Sequence, residues 1–393
     1  EQAARVKGYL NYLITEVMEE YEPGMDQLLF YLPIGGSAFK KTYYDPITQN
    51  PCSEFVTAEH ITVPYGSVDM RGAPRITHDF LIAGNDLLKY QASGFYSDTH
   101  LPESQDAEIS EIQQKTDKLQ GLTANSFEHD EEYQLLEMHL NMDHEILASP
   151  EGIALPYIVT LDKESGTILS IRRNYAEGDN LYKRLDHFTH YKFLPGLGFY
   201  GFGLVHMIGG IAGSVTSILR QLIDAGTFSN LPGGFKAKGM RVAGEDEPIE
   251  PGEWRDVDTP GGNLRESLMP LPYKEPSQVL AMLMGSLVES GQRFASIADM
   301  QIGDTSGQAQ PVGTTVAMLE RGTKVMSSIH KRLHYAQKHE FKILARIVRD
   351  SLPEQPYPYA VEGQDQSVMR EDFDDRVDVV PVSDPNIFSM AQR

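Results

Sequence analysis

The stretch PGLGFYGFGLVHMIGGIAGSVTSILRQLIDAGTFSNLPGG, residues 195–234, decides the architecture. From Pro195 to Leu219 it carries no Asp, Glu, Lys or Arg, and Gly196 through Gly213 include seven glycines. Helical periodicity begins near Gly203 and stops at Asn230-Leu231-Pro232-Gly233-Gly234, where proline cannot continue the helix and glycine eases the exit. A charge-free run of this length raises the question of a membrane span, which needs about 20 apolar residues. Glycine density, the lack of a second hydrophobic segment and flanking charges without bias argue against a span. Two readings remain, a buried core helix or a helix packed against copies of itself. Gly209 and Gly213, four residues apart, would let a neighbouring backbone approach closely.

Downstream, an acidic Pro/Gly segment runs from Ala243 to Pro276, followed by a helix pattern over Ser277–Ala298. A small polar loop, Gln301–Gln310, leads into a very long basic helix, Val312–Leu352. From Arg321 to Arg349 that helix has eight Lys/Arg against one acid, Glu340. Its basic side suits a solvated face, an acidic neighbouring subunit or nucleic acid, and the overall acidity of the chain favours the neighbour over nucleic acid. The order reads as helical struts that hold loops at fixed positions.

Upstream, residues 5–21 form an amphipathic helix that ends at Pro23-Gly24. Leu28 to Ala92 mixes short β-rich runs, such as Ala38–Tyr44 and Glu59–Val63, with Pro/Gly breaks. Residues 103–132 are acidic and polar, a surface excursion. Tyr133–Asp143 alternates like a strand. Tyr157–Leu161 and Thr167–Arg173 form a hairpin around Asp162–Gly166. The first 195 residues read as one α+β domain.

The chain has 393 residues, enough for two or three domains, with 40% apolar and 23% charged residues. Its 34 basic and 56 acidic residues give a net charge of −22, which excludes a general nucleic-acid-coating role, because coating requires a basic surface. A protein that only lets DNA pass gains from repelling it. The one cysteine, Cys52, excludes an intrachain disulfide and has no neighbouring base or cation to activate it. Glu1 opens the sequence without a signal-peptide pattern, and Ser383-Asp384-Pro385-Asn386 starts a helix close to Arg393, so both ends read as cut from a longer polypeptide.

The densest metal-like cluster is His129-Asp130-Glu131-Glu132 with Glu137, His139, Asp143, His144 and Glu145. Glu137, His139 and Asp143 share one face of a strand, which would suit a metal or a general base. The spacing matches no named metal motif, and the expected reading is a solvated acidic strand edge. Gly35-Gly36-Ser37-Ala38-Phe39-Lys40-Lys41 and Gly233-Gly234-Phe235-Lys236 lack phosphate-loop spacing, and there is no G-x-S-x-G. No catalytic, cofactor or metal residue is assigned. Gly244–Asp258 is different: it holds the only tryptophan in a Pro/Gly frame, with seven acids around one arginine. Glu245, Asp246, Glu247, Glu250, Trp254 and Arg255 read as a docking tip, since Trp and Arg are typical interface anchors.

At these residues the chain resembles phage portal proteins of the large, podovirus-like type. The resemblance rests on PGLGFYGFGLVHMIGG (195–210), RQLIDAGTFSNLPGGFKAKG (220–239), PGEWRDVDTPGGNLRESLMPLPYKEPS (251–277), FASIADMQIGD (294–304) and PVGTTVAMLERGTKVMSSIHKRL (311–333). Weaker agreement runs through NYLITEVMEEY (11–21), GGSAFKKTYYDP (35–46), RRN (172–174) and VSDPN, so it covers nearly the whole chain. It implies a portal fold: an α/β wing over 1–197, stem helices over 198–232 and 277–299, and a clip over 233–276. A tunnel loop would follow over 300–311, then a long helix and the C-terminal wing over 312–393, without crown or barrel. It also implies a homo-oligomeric ring, usually of twelve, at one capsid vertex of the virion, assembled in the host cytoplasm. Double-stranded DNA would pass its channel, touching Gln301, Gly303, Asp304, Thr305, Ser306, Gly307 and Gln308. The expected partners are the large terminase and a tail adaptor at the clip, together with major capsid and scaffolding protein, with no cofactor and no membrane. The alternatives are another ring-forming head–tail component and a metal-dependent hydrolase built on Glu137 and His139.

Overall fold

The structure, a computed structural model, describes residues 2–102, 115, 118, 121, 132–143, 152–230, 234–236, 241–242, 257–258, 268–270, 275–294, 312–361, 364–374, 379 and 381. The chain divides into two compact units, residues 1–205 with 323–393, and residues 206–322. The class is mixed α and β, and the paired strands are antiparallel.

In the first unit, β1 (Ser37–Asp45) lies between β2 (Asn50–Thr57) and β8 (Phe188–Lys192) in a three-stranded sheet. The β1–β2 turn is held by Asp45, whose carboxylate accepts the Ile47 and Thr48 amides, both at 3.1 Å. A five-stranded sheet has the order β3 (Ile61–Thr62), β4 (Arg75–Ala83), β5 (Glu132–Met142), β6 (Leu155–Asp162) and β7 (Ile168–Arg173). The β6–β7 hairpin is the one expected. Asp162 accepts the Ser165 amide at 2.8 Å, and Gly166 takes φ +68°.

The N-terminal helices differ from expectation. α1 spans Gln2–Tyr12 and continues as a π-helical turn over Leu13–Val17, and α2 then spans Tyr21–Gly35. Pro23 therefore opens a helix instead of closing one. In a first turn the missing N–H has no partner to lose, and the fixed φ suits the helix. β4 fits the short β-rich runs expected over 28–92, whereas the helix α3 (Gly84–Ala92) is not among the elements expected there.

The last α-helix among the described residues, α6 (Val312–Ser351), belongs to this unit from Thr323 onward. Leu344, Val348 and Leu352 pack with Val6, Tyr9 and Leu13 of the N-terminal segment, joined by Tyr359 and Val368 from the β13 (Tyr357–Val361) and β14 (Gln364–Val368) hairpin. Ile329 and Ala336 pack with Leu28 and Leu32 of α2 and Tyr191 of β8. The basic face is partly spent inside the fold. Arg332 donates to the Phe193 carbonyl at 3.1 Å and Arg346 to that of Asp186. Glu340, its one acid between Arg321 and Arg349, is completely buried. Glu340 lies 3.3 Å from the equally buried Lys40 ammonium of β1 and accepts hydrogen bonds from Ser53 at 2.7 Å and from the Tyr191 hydroxyl. The Lys40 contact is an ion contact without hydrogen-bond alignment, and the ammonium also sits 3.7 Å from the centre of the Tyr21 ring.

The glycine run before residue 204 has its own reason. Gly36 caps α2 at φ +80°, and a Cβ there would run into the Gly203 amide nitrogen. A Cβ on Gly201 would lie 2.5 Å from the Gly36 carbonyl oxygen, and one on Gly203 2.7 Å from the Gly36 amide nitrogen. These glycines let two backbones touch, which no side chain would permit.

In the second unit, α4 (Leu204–Asn230, beginning just before the boundary) and α5 (Gln278–Phe294) run antiparallel. Ile211 Cγ2 lies 3.7 Å from the Cβ position of Gly291, and Pro276 Cγ lies 3.9 Å from that of Gly226. Between them in sequence are two nested antiparallel ladders. β9 (Gly234–Lys236) pairs with β12 (Leu268–Pro270), and inside it β10 (Arg241–Val242) pairs with β11 (Val257–Asp258). Of the strand-like pieces expected near 253–257 and 268–271, Val257–Asp258 and Leu268–Pro270 are strands, and the rest of the expected projection lies outside the described residues. The helix expected to start near Gly203 starts at Leu204, and among the described residues no helix is long and apolar enough to cross a membrane.

Candidate functional site

α4 and α5 form a strut with two apolar faces. On α4, Met207, Ile208, Ile211, Val215, Ile218 and Leu222 are at least partly sheltered, with Leu280, Met284 and Leu287 so on α5. The second face is open. It carries Val205, Leu219 and Ile223 on α4, and Val279 and Met282 on α5, the last two 73% and 76% exposed. Val205, Gly209, Ala212, Thr216, Leu219 and Ile223 follow spacings of four and three, the repeat of a helix seam, and all are exposed. Gly209 and Gly213 are both exposed, and a Cβ on Gly213 would meet nothing within 4 Å. At Gly213 no contact among the described residues requires a small side chain, and it sits in an apolar surface that water disfavours.

The other expected positions fall differently. Gln301, Gly303, Asp304, Thr305, Ser306, Gly307 and Gln308 lie outside the described residues, as do Glu245, Asp246, Glu247, Glu250, Trp254 and Arg255. Of the metal-like cluster, His129, Asp130, Glu131, His144 and Glu145 also lie outside them.

Glu137 and His139 correct the expectation of a solvated strand edge. β5 is the middle strand of five, and both residues are buried, 5% and 2% exposed, while Asp143 is exposed at the strand end. Alternation misled here because both faces of β5 are covered. Met138, Leu140 and Met142, on the other face, pack against Leu155, Tyr157 and Val159. A polar chain crosses the inner face. Lys41 donates to Glu137 at 2.9 Å, His139 Nε2 donates to the other Glu137 oxygen at 2.9 Å, and His187 Nε2 donates to Asn174 Oδ1 at 3.1 Å. Burial opposes ionisation of Glu137, but Lys41 and the His139 hydrogen bond prevail and hold its carboxyl well below the usual carboxylate range. Burial lowers His139 and holds His187 well below the ordinary imidazole value, so both are neutral near pH 7. Among the described residues no group of three or more His, Cys, Asp or Glu is placed to hold a metal ion. The Cys52 thiol is pushed up to about 12 by burial and by the nearby Glu20 carboxylate, which keeps it protonated.

Sequence reasoning missed the Lys40–Glu340 contact and the polar inner face of the five-stranded sheet. The lone acid in a basic helix was a usable signal for the first. The second depends on strand register alone. No family model matches the sequence, and no curated protein matches it.

Proposed function

We propose that this chain is the subunit of a phage portal, a ring at one capsid vertex through which double-stranded DNA is packaged and ejected. The observation that carries the reading is the antiparallel strut with its open apolar seam and the nested strands between its helices. A surface of this kind, exposed in a single chain, calls for a covering partner, and side-by-side copies supply one with the glycines at the closest approach. The resemblance of residues 195–333 to portal proteins points the same way.

In this reading residues 1–197 are wing, α4 and α5 are the stem, and 233–276 are the clip. Glu245, Asp246, Glu247, Glu250, Trp254 and Arg255 dock the large terminase during packaging and the tail adaptor afterwards, while capsid and scaffolding proteins surround the ring. The loop through Gln301, Thr305, Ser306 and Gln308 faces DNA. With Asp304 its one charged group, it touches phosphates weakly and reads no bases. A chain of net charge −22 multiplied around a ring repels DNA at separations within a Debye length of about 8 Å, which favours passage over adhesion.

Electron microscopy of the purified protein tests the reading, with end-on views counted for symmetry. Closed rings, most often of twelve, are expected. A monomer that persists at high concentration and moderate salt refutes it. A hydrolase built on Glu137 and His139 is not favoured, because Lys41 already occupies the carboxylate.

A further inference from the structure

Helix α6 carries the sequence IHKRLHY over residues 329–335, with two histidines four positions apart. Four residues advance a helix by slightly more than one turn, so the His330 and His334 rings stand one above the other on the same side. Ile329 and Ala336 are buried and Leu333 packs beside them, while His330 is exposed and His334 half-buried at the rim of that packing. The two Nε2 atoms come within 3.0 Å of each other, with ring centres 4.2 Å apart and planes at 59°. Among the described residues neither ring makes another side-chain hydrogen bond. The buried His139 and His187 differ, because their Nε2 atoms are spent on Glu137 and Asn174. Two imidazole nitrogens that converge on a solvent-accessible helix side form a ready bidentate ligand.

The separation selects the metal. Imidazole nitrogen binds zinc at about 2.0–2.1 Å, and at that length two nitrogens 3.0 Å apart subtend about 94° at the ion. A tetrahedral ion would spread them to about 3.3 Å, whereas neighbouring positions of a square or octahedral ion need about 2.9 Å. Tetragonal coordination by nitrogen belongs to Cu²⁺ and Ni²⁺. No third His, Cys, Asp or Glu joins the pair among the described residues, so no closed zinc-type cage is built and the other positions are left to water. Nearby charge works against simple cations. Lys331 and Lys338 flank the pair along the helix, and Arg332 is turned to the Phe193 carbonyl. A hard ion such as Mg²⁺ or Ca²⁺ therefore finds neither carboxylate ligands nor electrostatic attraction from these residues.

We propose that His330 and His334 chelate one late divalent transition-metal ion per chain, Cu²⁺ ahead of Ni²⁺. Both rings bind through Nε2 as neutral imidazoles, and the ion replaces the hydrogen bond between them. The ring that donates in the free chain takes its Nδ1–H tautomer, so a neutral pair releases no net proton. Copper precedes nickel in the general order of affinity for nitrogen ligands. The second nitrogen binds intramolecularly, which raises the affinity above that of an isolated histidine. Because both ligands belong to the folded α6, the ion ties one turn to the next and stabilises the folded chain by mass action. The pair and its metal are independent of the ring reading.

The test is calorimetric titration of the metal-free full chain with CuCl₂, NiCl₂ and MgCl₂. A Cu²⁺ site of one ion per chain is expected, Ni²⁺ should bind it more weakly, and Mg²⁺ should not bind it at the same concentrations. His334→Ala should weaken Cu²⁺ by at least about tenfold, since it turns a chelate into a single ligand. His334→Ala with Tyr335→His keeps twelve histidines in the chain but sets the two rings about 140° apart around the helix, so it should bind as weakly as His334→Ala alone. Circular dichroism of each variant is recorded first. If His334→Ala does not fold, His330→Ala, at the exposed position, takes its place and carries the same expectation. Copper binding unchanged in the folded variant, restored in full by the misplaced histidine, matched by Mg²⁺, or absent from the parent overturns the proposal.

Discussion

Replacing Glu340 by glutamine tests how the long helix is fixed to the three-stranded sheet. The substitution keeps the shape and much of the hydrogen bonding to Ser53 and Tyr191, but it leaves Lys40, fully buried, without its counter-charge. Breaking a buried ion pair from one side costs about 3–5 kcal/mol. Burial lowers the Lys40 pKa and Glu340 opposes that shift, so removing Glu340 lowers it further. The sign follows from linkage. Between the depressed folded value and the ordinary 10.5, the unfolded chain binds more protons, so stability rises with pH across that window. Each unit of additional depression is worth about 1.4 kcal/mol. Urea unfolding followed by circular dichroism, from pH 6 to 10, should show a large deficit at neutral pH that narrows as pH rises. Lys40→Met with Glu340→Met should recover much of the loss, since a packed apolar pair substitutes well for a buried ionic one. A Glu340→Gln variant within about 1 kcal/mol of the parent at neutral pH, or a deficit that ignores pH, refutes the reasoning.

Gly36→Ala forces a Cβ into the Gly203 amide at a positive φ and should cost about 2–4 kcal/mol in thermal unfolding, with Gly203→Ala similarly harmful. Gly213→Leu has open space around it, so the isolated chain should melt no lower than the parent while light scattering shows the assembly lost. Trp254→Ala and Arg255→Ala should each weaken terminase or adaptor binding by about 1–3 kcal/mol in surface-resonance assays, without a change in the circular dichroism of the fold. Ser306→Lys with Gln308→Lys should slow DNA translocation at low salt and recover as salt rises. Normal packaging at every ionic strength would remove residues 301–311 from the DNA path.

Local chemistry made several elements legible. The β6–β7 hairpin is announced by its turn residues, and α4 by a period that starts just after Gly203. The start of α2 was misread because Pro23-Gly24 carries the same local signal at a helix's first turn as just past its end, and only the packing of Leu28 and Leu32 decides between them. Glu137 and His139 were visible as chemistry-bearing residues but were assigned to the wrong surface. Alternation reports a strand and its two faces, but it cannot tell whether the polar face meets water or a second layer.

The sequence by itself determined the β6–β7 hairpin and the start of α4, how charge is distributed, and that Gly209 and Gly213 share a helix. Those properties depend on neighbours within a few residues, the range over which propensity and turn chemistry act. Only the tertiary structure decided that Lys40 meets Glu340, that Gly36 meets Gly203, and that Lys41 meets Glu137. Each of these joins residues far apart in the chain. Their meeting is set by strand register and by which apolar faces must be covered together, and no local pattern encodes that choice.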